Sequence, residues 1–397
     1  MPKAIKNIEL TNLPHFLELE EKYDGAFILL RYHGKVIDKI ILPAKGGRIS
    51  IDEHLEEIRK ASKKHLWYAA VDHFLGEEEQ VPLPAMGVTV AVCTRNRTED
   101  LRLCLAALMK LNDRGQELLV VDNAPSDEST KELVAQFPSV RYVREQRKGL
   151  DIARNRAIAE ASNGIIVFTD DDALPNPDWL DKIILHFNDP LVMCVTGMTM
   201  PLELETKAQE AIEDYSPFAK GYFRKRFSFT KSHPLSTGNI GAGANMALRK
   251  SLVEEIGGFD EALDAGTKTQ SGGDHEFFAR ILLAGYHIVY EPAAMSWHRH
   301  RRTWKEAVHA IHGYGVGVYA FWTRLFFAEK QYSIILFPKR WLLDTQLPNL
   351  YKSIFKVGKH YPLAFVFAEL RGCLKGPFAW FKSRREVDQY LKKQEGK

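Results

Sequence analysis

The stretch Ile165-Ile-Val-Phe-Thr-Asp-Asp-Asp172 decides how the rest of the chain is read. Its first five residues are all β-branched or aromatic, which predicts a buried strand over 165–169. That strand runs straight into three consecutive carboxylates, Asp170, Asp171 and Asp172. Carboxylates ionise near pH ~4, so crowding three of them is costly unless a cation sits among them. Oxygen donors select a hard divalent ion, Mg²⁺ or Mn²⁺. A solvated acidic turn is the commoner fate of a short Asp run taken alone.

Upstream, strands alternate with helices. Val88–Cys93 reads as the first strand, Glu117–Val121 as the second and Arg141–Val143 as a short third, with 165–169 the fourth. Thr98 is expected to cap a helix whose Leu101, Cys104, Leu105 and Leu108 share one face. This grammar predicts an α/β fold with a mostly parallel sheet covered by helices on both faces. Ligands in such sheets bind beyond the carboxyl ends of the strands. Those ends carry Thr94-Arg95-Asn96-Arg97, Asp122-Asn123 and the Asp run. Between the third and fourth strands, Arg147-Lys148-Gly149 precedes a helix with Arg154 and Asn155, whose amino end suits phosphate. For each of these, a surface arginine, a turn or a solvated helix face is the bland alternative.

The flanks differ in character. Ala26–Tyr32 and Val36–Leu42 around His33-Gly34-Lys35 predict a hairpin, and Ser50 with Glu53 has capping-box spacing ahead of a helix to about Phe74. Together they make a small α+β module. Gly76–Pro84 is acidic and proline-bearing, as a linker would be, and places a boundary near residue 84. Downstream, Gly238–Ala247 is glycine-rich but lacks the dinucleotide fingerprint. It reads as a tight loop lining a ligand pocket, with Asn245 a contact. Gly272-Gly273-Asp274 precedes a helical pattern, so Asp274 suits a helix cap and the glycines allow close backbone approach. Trp179 is more naturally core than a stacking platform for a ligand.

The order Val88-Thr-Val-Ala-Val-Cys-Thr-Arg-Asn-Arg97, Val120-Val-Asp-Asn123, Lys148-Gly-Leu-Asp-Ile-Ala-Arg-Asn155, Phe168-Thr-Asp-Asp-Asp172 resembles the family 2 glycosyltransferases, inverting enzymes of the GT-A fold that use nucleotide-sugar donors. The resemblance covers about residues 86–302 and includes Gly241–Ala247, Gly272–Glu276 and Tyr290–His298. It implies a domain over 85–302 between the module of 1–84 and a helical extension of 303–397. By similarity Thr94, Arg95 and Asp122 hold the nucleoside, Arg154 and Gly149 lie along ribose and diphosphate, and Asp171 sits with the donor. Asp170 and Asp172 match the DxD acids, the first meeting ribose or metal and the second metal. Asp274 matches the catalytic base. The family usually has an acidic residue just before it, where this chain has Gly273, which leaves the acceptor side with Gly273 and Asn245 open. His298 matches a position where some relatives give an imidazole to the metal, which favours Mn²⁺ over Mg²⁺. The donor is then UDP-, dTDP- or GDP-linked and the acceptor a glycan or lipid-linked hydroxyl. A binding protein without turnover and a nucleotidyltransferase are the rival readings.

Composition sets outer bounds. The 397 residues are 45% hydrophobic and 26% charged, with net charge +3, which excludes wholesale disorder and gives no reason to expect nucleic acid as partner. After Thr303, however, 16 Lys and Arg stand against 7 Asp and Glu, interleaved with aromatic residues. Two readings of that tail stay open, a peripheral membrane contact through lipid-seeking helices and a subdomain packed on the core. Ala307–Thr323 holds two histidines and three glycines and falls short of a membrane span. Cys93, Cys104, Cys194 and Cys373 lie far apart in apolar settings and Met1–Leu10 has no signal-like run, so a cytosolic location is expected, with the inner membrane face in view.

Overall fold

The computed structural model describes residues 2–76 and 82–395, so part of the expected linker, 77–81, lies outside the described residues. The amino-terminal elements are β1 (Lys3–Glu9), β2 (Phe16–Glu18), β3 (Gly25–Tyr32), β4 (Lys35–Pro43), β5 (Arg48–Ser50) and α1 (Leu55–Leu75). The expected hairpin is β3–β4, turned by His33 and Gly34 with φ of 46° and 78°, the paired positive values of a tight hairpin turn. β1 adds to β3 in parallel. Ser50 Oγ accepts from Glu53 N at 3.4 Å, but this opens a short 3-10 turn, Asp52–His54, ahead of α1 instead of capping α1 itself.

The parallel block follows as β6 (Val88–Thr94), α2 (Thr98–Leu108), β7 (Glu117–Asn123), α3 (Ser129–Val134), β8 (Val140–Glu145), α4 (Leu150–Glu160) and β9 (Ile165–Asp170). Strands β9, β6, β7 and β8 lie side by side in parallel. Register pairs Cys93 with Asp170 and Thr94 with Asp122, so the polar strand ends stand level on one edge. The α2 face of Leu101, Cys104, Leu105 and Leu108 is buried as its spacing predicts. Thr98 is not the cap: Arg97 occupies that position without a side-chain cap bond, and Thr98 Oγ1 instead pairs with Ser129 Oγ at 3.0 Å.

After β9 come β10 (Ala173–Pro175), α5 (Trp179–Ile184), β11 (Val192–Pro201), α6 (Lys207–Tyr215), β12 (Lys225–Phe227), β13 (Asn245–Arg249), α7 (Leu252–Ile256), α8 (Gly273–Leu283) and β14 (His287–His298). They extend the sheet to the order β10-β14-β11-β13-β9-β6-β7-β8, with β13 antiparallel to both neighbours and β11 parallel to β14. Alternating side chains feed two cores. Val88, Val90 and Val92 face α2 and α5, while Ala91 and Val121 face α4 and α8, so helices cover both faces of a mixed α/β sheet. The amino-terminal module seats Phe27, Leu29 and Val36 against Met198, Met200 and Tyr290 of β11 and β14. Lys39 reaches Glu213 of α6 at 2.6 Å across that contact.

The chain ends in helices α9 (Trp304–Ala328), α10 (Leu336–Trp341), α11 (Leu347–Phe355) and α12 (Leu363–Glu395). Thr303 and Glu306 form a full capping box that starts α9. The glycines that weaken α9 as a span are its packing surface. A Cβ on Gly372 would stand 2.9 Å from Val316 N, and one on Gly376 2.5 Å from Tyr319 Cβ, so α9 and α12 meet backbone to backbone. On its other flank a Cβ on Gly317 would stand 2.6 Å from Ser271 O, and Ser271 Oγ donates to Gly313 O at 2.9 Å. Helix α9 therefore holds the segment that leads into α8. The four cysteines are free thiols, three of them buried.

Candidate active site

The strand ends and the start of α8 converge on a cleft of about 710 Å³. Asp170, Asp172, His298, Arg154 and Asp274 all line it. Asp170 ends β9, Asp172 closes the two-residue turn before β10 and His298 ends β14. One ligand atom from each of Asp170, Asp172 and His298 falls within 4.8 Å of the others. His298 Nε2 stands 3.0 Å from Asp172 Oδ1 and 3.8 Å from Asp170 Oδ2. The other Asp172 oxygen accepts from Arg97 Nη2 at 2.7 Å. Burial alone would raise the Asp172 carboxyl, but His298, Arg97 and Arg301 outweigh it and hold it well below the usual carboxylate range. Burial works against a charged His298, yet Asp172 and Asp170 raise its pKa. The acids thus draw positive charge to this corner of the cleft.

This donor set fits a divalent ion. Asp172 Oδ1 is buried without a hydrogen-bond donor in good geometry, and His298 Nδ1 is also buried and unpartnered. Two carboxylates and one neutral imidazole suit Mn²⁺ and also accommodate Mg²⁺.

Asp171, between the two, points elsewhere. It is 4% exposed, accepts from Thr94 Oγ1 and from Arg97 Nη1, each at 2.7 Å, and burial lifts its pKa to about 7 against the pull of Arg97. Asp171 and Thr94 therefore brace each other at the cleft wall. Arg95 lines the cleft and reaches Ala124 O at 3.2 Å. Asp122 is fully buried behind the wall, with Oδ2 accepting from Tyr142 Oη at 2.9 Å and Oδ1 left without a partner. Gly149 starts α4 and donates to Asn123 Oδ1 at 2.9 Å, while its neighbours Lys148 and Leu150 face the cleft.

The opposite wall centres on Asp274. Its Oδ2 accepts from Gly243 N and its Oδ1 from His275 N, both at 2.8 Å. Burial favours the neutral acid, but His275, Arg154 and those two amides hold the carboxyl below its ordinary value. Arg154 lies beneath, donating to Asp151 Oδ1 at 2.9 Å and to Asp264 Oδ2 at 2.8 Å. One guanidinium thus faces several acids, and burial raises both Asp151 and Asp264. The other Asp151 oxygen is buried without a partner directly under Gly273: a Cβ there would lie 2.6 Å from Asp151 Cγ and closer still to Oδ2.

Two expectations need correction. Asn245 does not reach the cleft: its Oδ1 accepts from Trp179 Nε1 at 2.8 Å, and its Nδ2 donates to Met198 O and Ala294 O at 3.1 and 3.0 Å. All of its polar capacity is spent pinning β13 to its neighbours. Gly273 is likewise buried over Asp151 and offers no surface to an acceptor; Gly272 and Asp274 on either side do line the cleft. Sequence reasoning missed Lys220, Asp264, Tyr314 and Trp341, which also line it. Lys220 and Trp341 come from segments without a motif, whereas Arg301 follows closely on His298 and stands 3.5 Å from Asp172.

Residues 89–257 match the family model Glycosyl transferase family 2. It is 28% identical over 222 residues to a pre-mycofactocin glycosyltransferase of Mycobacterium tuberculosis, covering 54% of this chain and 43% of that protein. Glycosyltransferase AglE of Haloferax volcanii is also 28% identical over 222 residues, covering 53% and 66%. The chain thus spans about half the length of the curated relatives it matches. Among solved structures, a mannosyltransferase from Pyrobaculum calidifontis in complex with GDP-Man and Mn²⁺ aligns over 82% of each chain at 19% identity with a TM-score of 0.47.

Proposed function

We propose that the protein moves a glycosyl group from a nucleotide-sugar donor to an acceptor hydroxyl with inversion, in the building of a glycan or polysaccharide. The observation that carries this reading is the single cleft shared by the Asp170–Asp172–His298 group and Asp274. Curated relatives bearing glycosyltransferase names support the same class. Single-displacement transfer needs a proton acceptor on one side of the anomeric carbon and charge neutralisation on the other. Asp274 is held ionised by two backbone amides and so is ready to accept the acceptor's proton. Its pKa is far below that of a sugar hydroxyl, so the proton leaves as the new bond forms. Asp170, Asp172 and His298 would hold a divalent ion, which when bound neutralises the charge of the departing diphosphate. Lys148, Arg95 and Arg301 add fixed positive charge along the cleft for a UDP-, dTDP- or GDP-linked donor.

The test is a panel of nucleotide sugars with Mn²⁺, followed by nucleotide release with and without acceptor. Asp274→Asn is expected to keep donor binding and lose ~10²- to 10⁴-fold in turnover, the usual contribution of a general base. Unchanged turnover removes Asp274 from that role. Release of pyrophosphate in place of nucleoside diphosphate would instead select nucleotidyl transfer, and donor binding without any release would select a binding protein.

A further inference from the structure

Among the described residues, sixteen of the thirty-one exposed large apolar side chains fall within the 55 residues from Phe327 to Phe381. Scattered single apolar residues need no explanation, but a concentration of this kind marks a binding surface. Leu343, Leu347, Tyr351 and Ile354 recur at helical spacing through α11 and the turn before it, all exposed, while Gln346 and Ser353 are buried. On α12, Leu374 and Phe378 are each 76% exposed, although Phe365, Cys373 and Trp380 of the same helix are buried. The inner faces of these helices therefore pack on the protein, and their outer faces remain apolar.

Charge says what covers them. Residues 331–382 contain eight Lys and Arg against two Asp and Glu. Of the two acids, Glu369 lines the cleft, whereas Lys339, Arg340, Lys352, Lys356 and Lys375 are exposed among the apolar side chains. Apolar side chains ringed by cations on short helices match the interface of an anionic bilayer, whose headgroups meet the cations while the apolar residues enter the acyl boundary. No described helix is long and apolar enough to cross a membrane, so such helices would lie in the plane of its surface. Trp341, at the end of α10, lines the cleft, which sets the proposed acceptor side beside this face.

We propose that the outer face of residues 332–357 and α12 docks on an anionic membrane surface and that the acceptor is delivered from that surface. The acceptor is then an amphipathic, lipid-borne hydroxyl compound. Only this last step rests on the reading of the cleft as a glycosyltransferase site.

Flotation of the full chain with vesicles of phosphatidylcholine, alone or mixed with phosphatidylglycerol, tests the docking without any substrate. The expected result is that the protein floats with the anionic vesicles, stays at the bottom with the neutral ones, and is released at high salt. Leu374→Glu/Phe378→Glu and Leu343→Glu/Leu347→Glu change exposed positions and should keep the thermal midpoint while losing at least tenfold in the floating fraction. A wild-type protein that stays at the bottom, or variants that float equally well, overturns the proposal. So does a lipid-free dimer that the same substitutions split, since the face then covers a second copy of the chain. Asp274→Asn should float as the wild type does. A protein that transfers sugar but never floats sinks the docking alone, and one that floats but never transfers sinks the reading of the cleft alone.

Discussion

Gly273→Ala tests how the base is seated. The new Cβ would arrive 2.6 Å from Asp151 Cγ and 2.7 Å from Oδ1, where carbon atoms prefer ~3.5 Å, so the groups must part by about 1 Å. Asp151 cannot swing away freely, because Arg154 holds Oδ1 at 2.9 Å and Asp264 holds Arg154 at 2.8 Å. Nor can the segment before α8 retreat, because a Cβ on Gly272 would already stand 2.6 Å from Gly317 O, which shows how closely α9 backs it. The displacement therefore falls on the first turn of α8, which carries Asp274. Overpacking of this size costs about 1–3 kcal/mol in stability. A shift of ~1 Å in a reacting group costs ~10²-fold in rate. Turnover of Gly273→Ala should fall by that order, with donor affinity retained, since the Asp170–Asp172–His298 group lies on the other wall. Adding Asp151→Ala removes the obstructing carboxylate and should return at least tenfold of the lost rate. Steady-state nucleotide release together with thermal unfolding reads both effects. A Gly273→Ala protein within twofold of wild type, or a double variant no better than the single, would refute this account of the base.

Three further outcomes follow from the structure. Asp172→Ala should abolish the thermal stabilisation that Mn²⁺ confers in the presence of donor nucleotide, an effect that grows with the logarithm of ligand concentration over Kd; a persisting Mn²⁺ shift would move the ion elsewhere. Asn245→Ala strands three buried hydrogen-bond partners and should cost at least about 3 kcal/mol in urea unfolding while leaving the donor KM unchanged; a raised KM with normal stability would restore Asn245 to the cleft. Glu291 is buried, yet His186 and Arg224 outweigh that burial and lower its pKa to about 2 from 4.5. A depressed carboxyl stabilises the fold above its unfolded pKa, so about 3 kcal/mol should disappear as pH falls from 4.5 towards 2, and Glu291→Gln should flatten that decline in acid unfolding curves.

The donor half of the cleft was legible because its chemistry is local. A β-branched run ending in acids announces β9, and the helical spacing of Leu101, Cys104, Leu105 and Leu108 announces α2. The other half comes from residues far apart in sequence whose meaning is set by packing. Asn245 sits in a glycine-rich run that looks like a ligand loop, yet its amide is pinned by Trp179 from another element. Asp151 and Asp264 gain their place through a shared Arg154, a contact across 110 residues that no spacing predicts. β1 escaped notice because Lys3-Ala-Ile-Lys-Asn-Ile-Glu9 mixes charge with only three apolar residues. In α9 the glycines argue against a bilayer span but do not reveal that they face α12 and the segment before α8.

That backing helix has a consequence for what kinship can teach about this chain. The family match stops at residue 257, whereas Ser271–Asp274 and the α9 surface that props them lie beyond it. The match takes in Thr94, Arg154, Asp170 and Asp172, while Asp274, His298 and the helix that props the start of α8 all lie outside it. Substitutions along α9 therefore bear on how Asp274 is held, and the matched stretch carries no counterpart of that support.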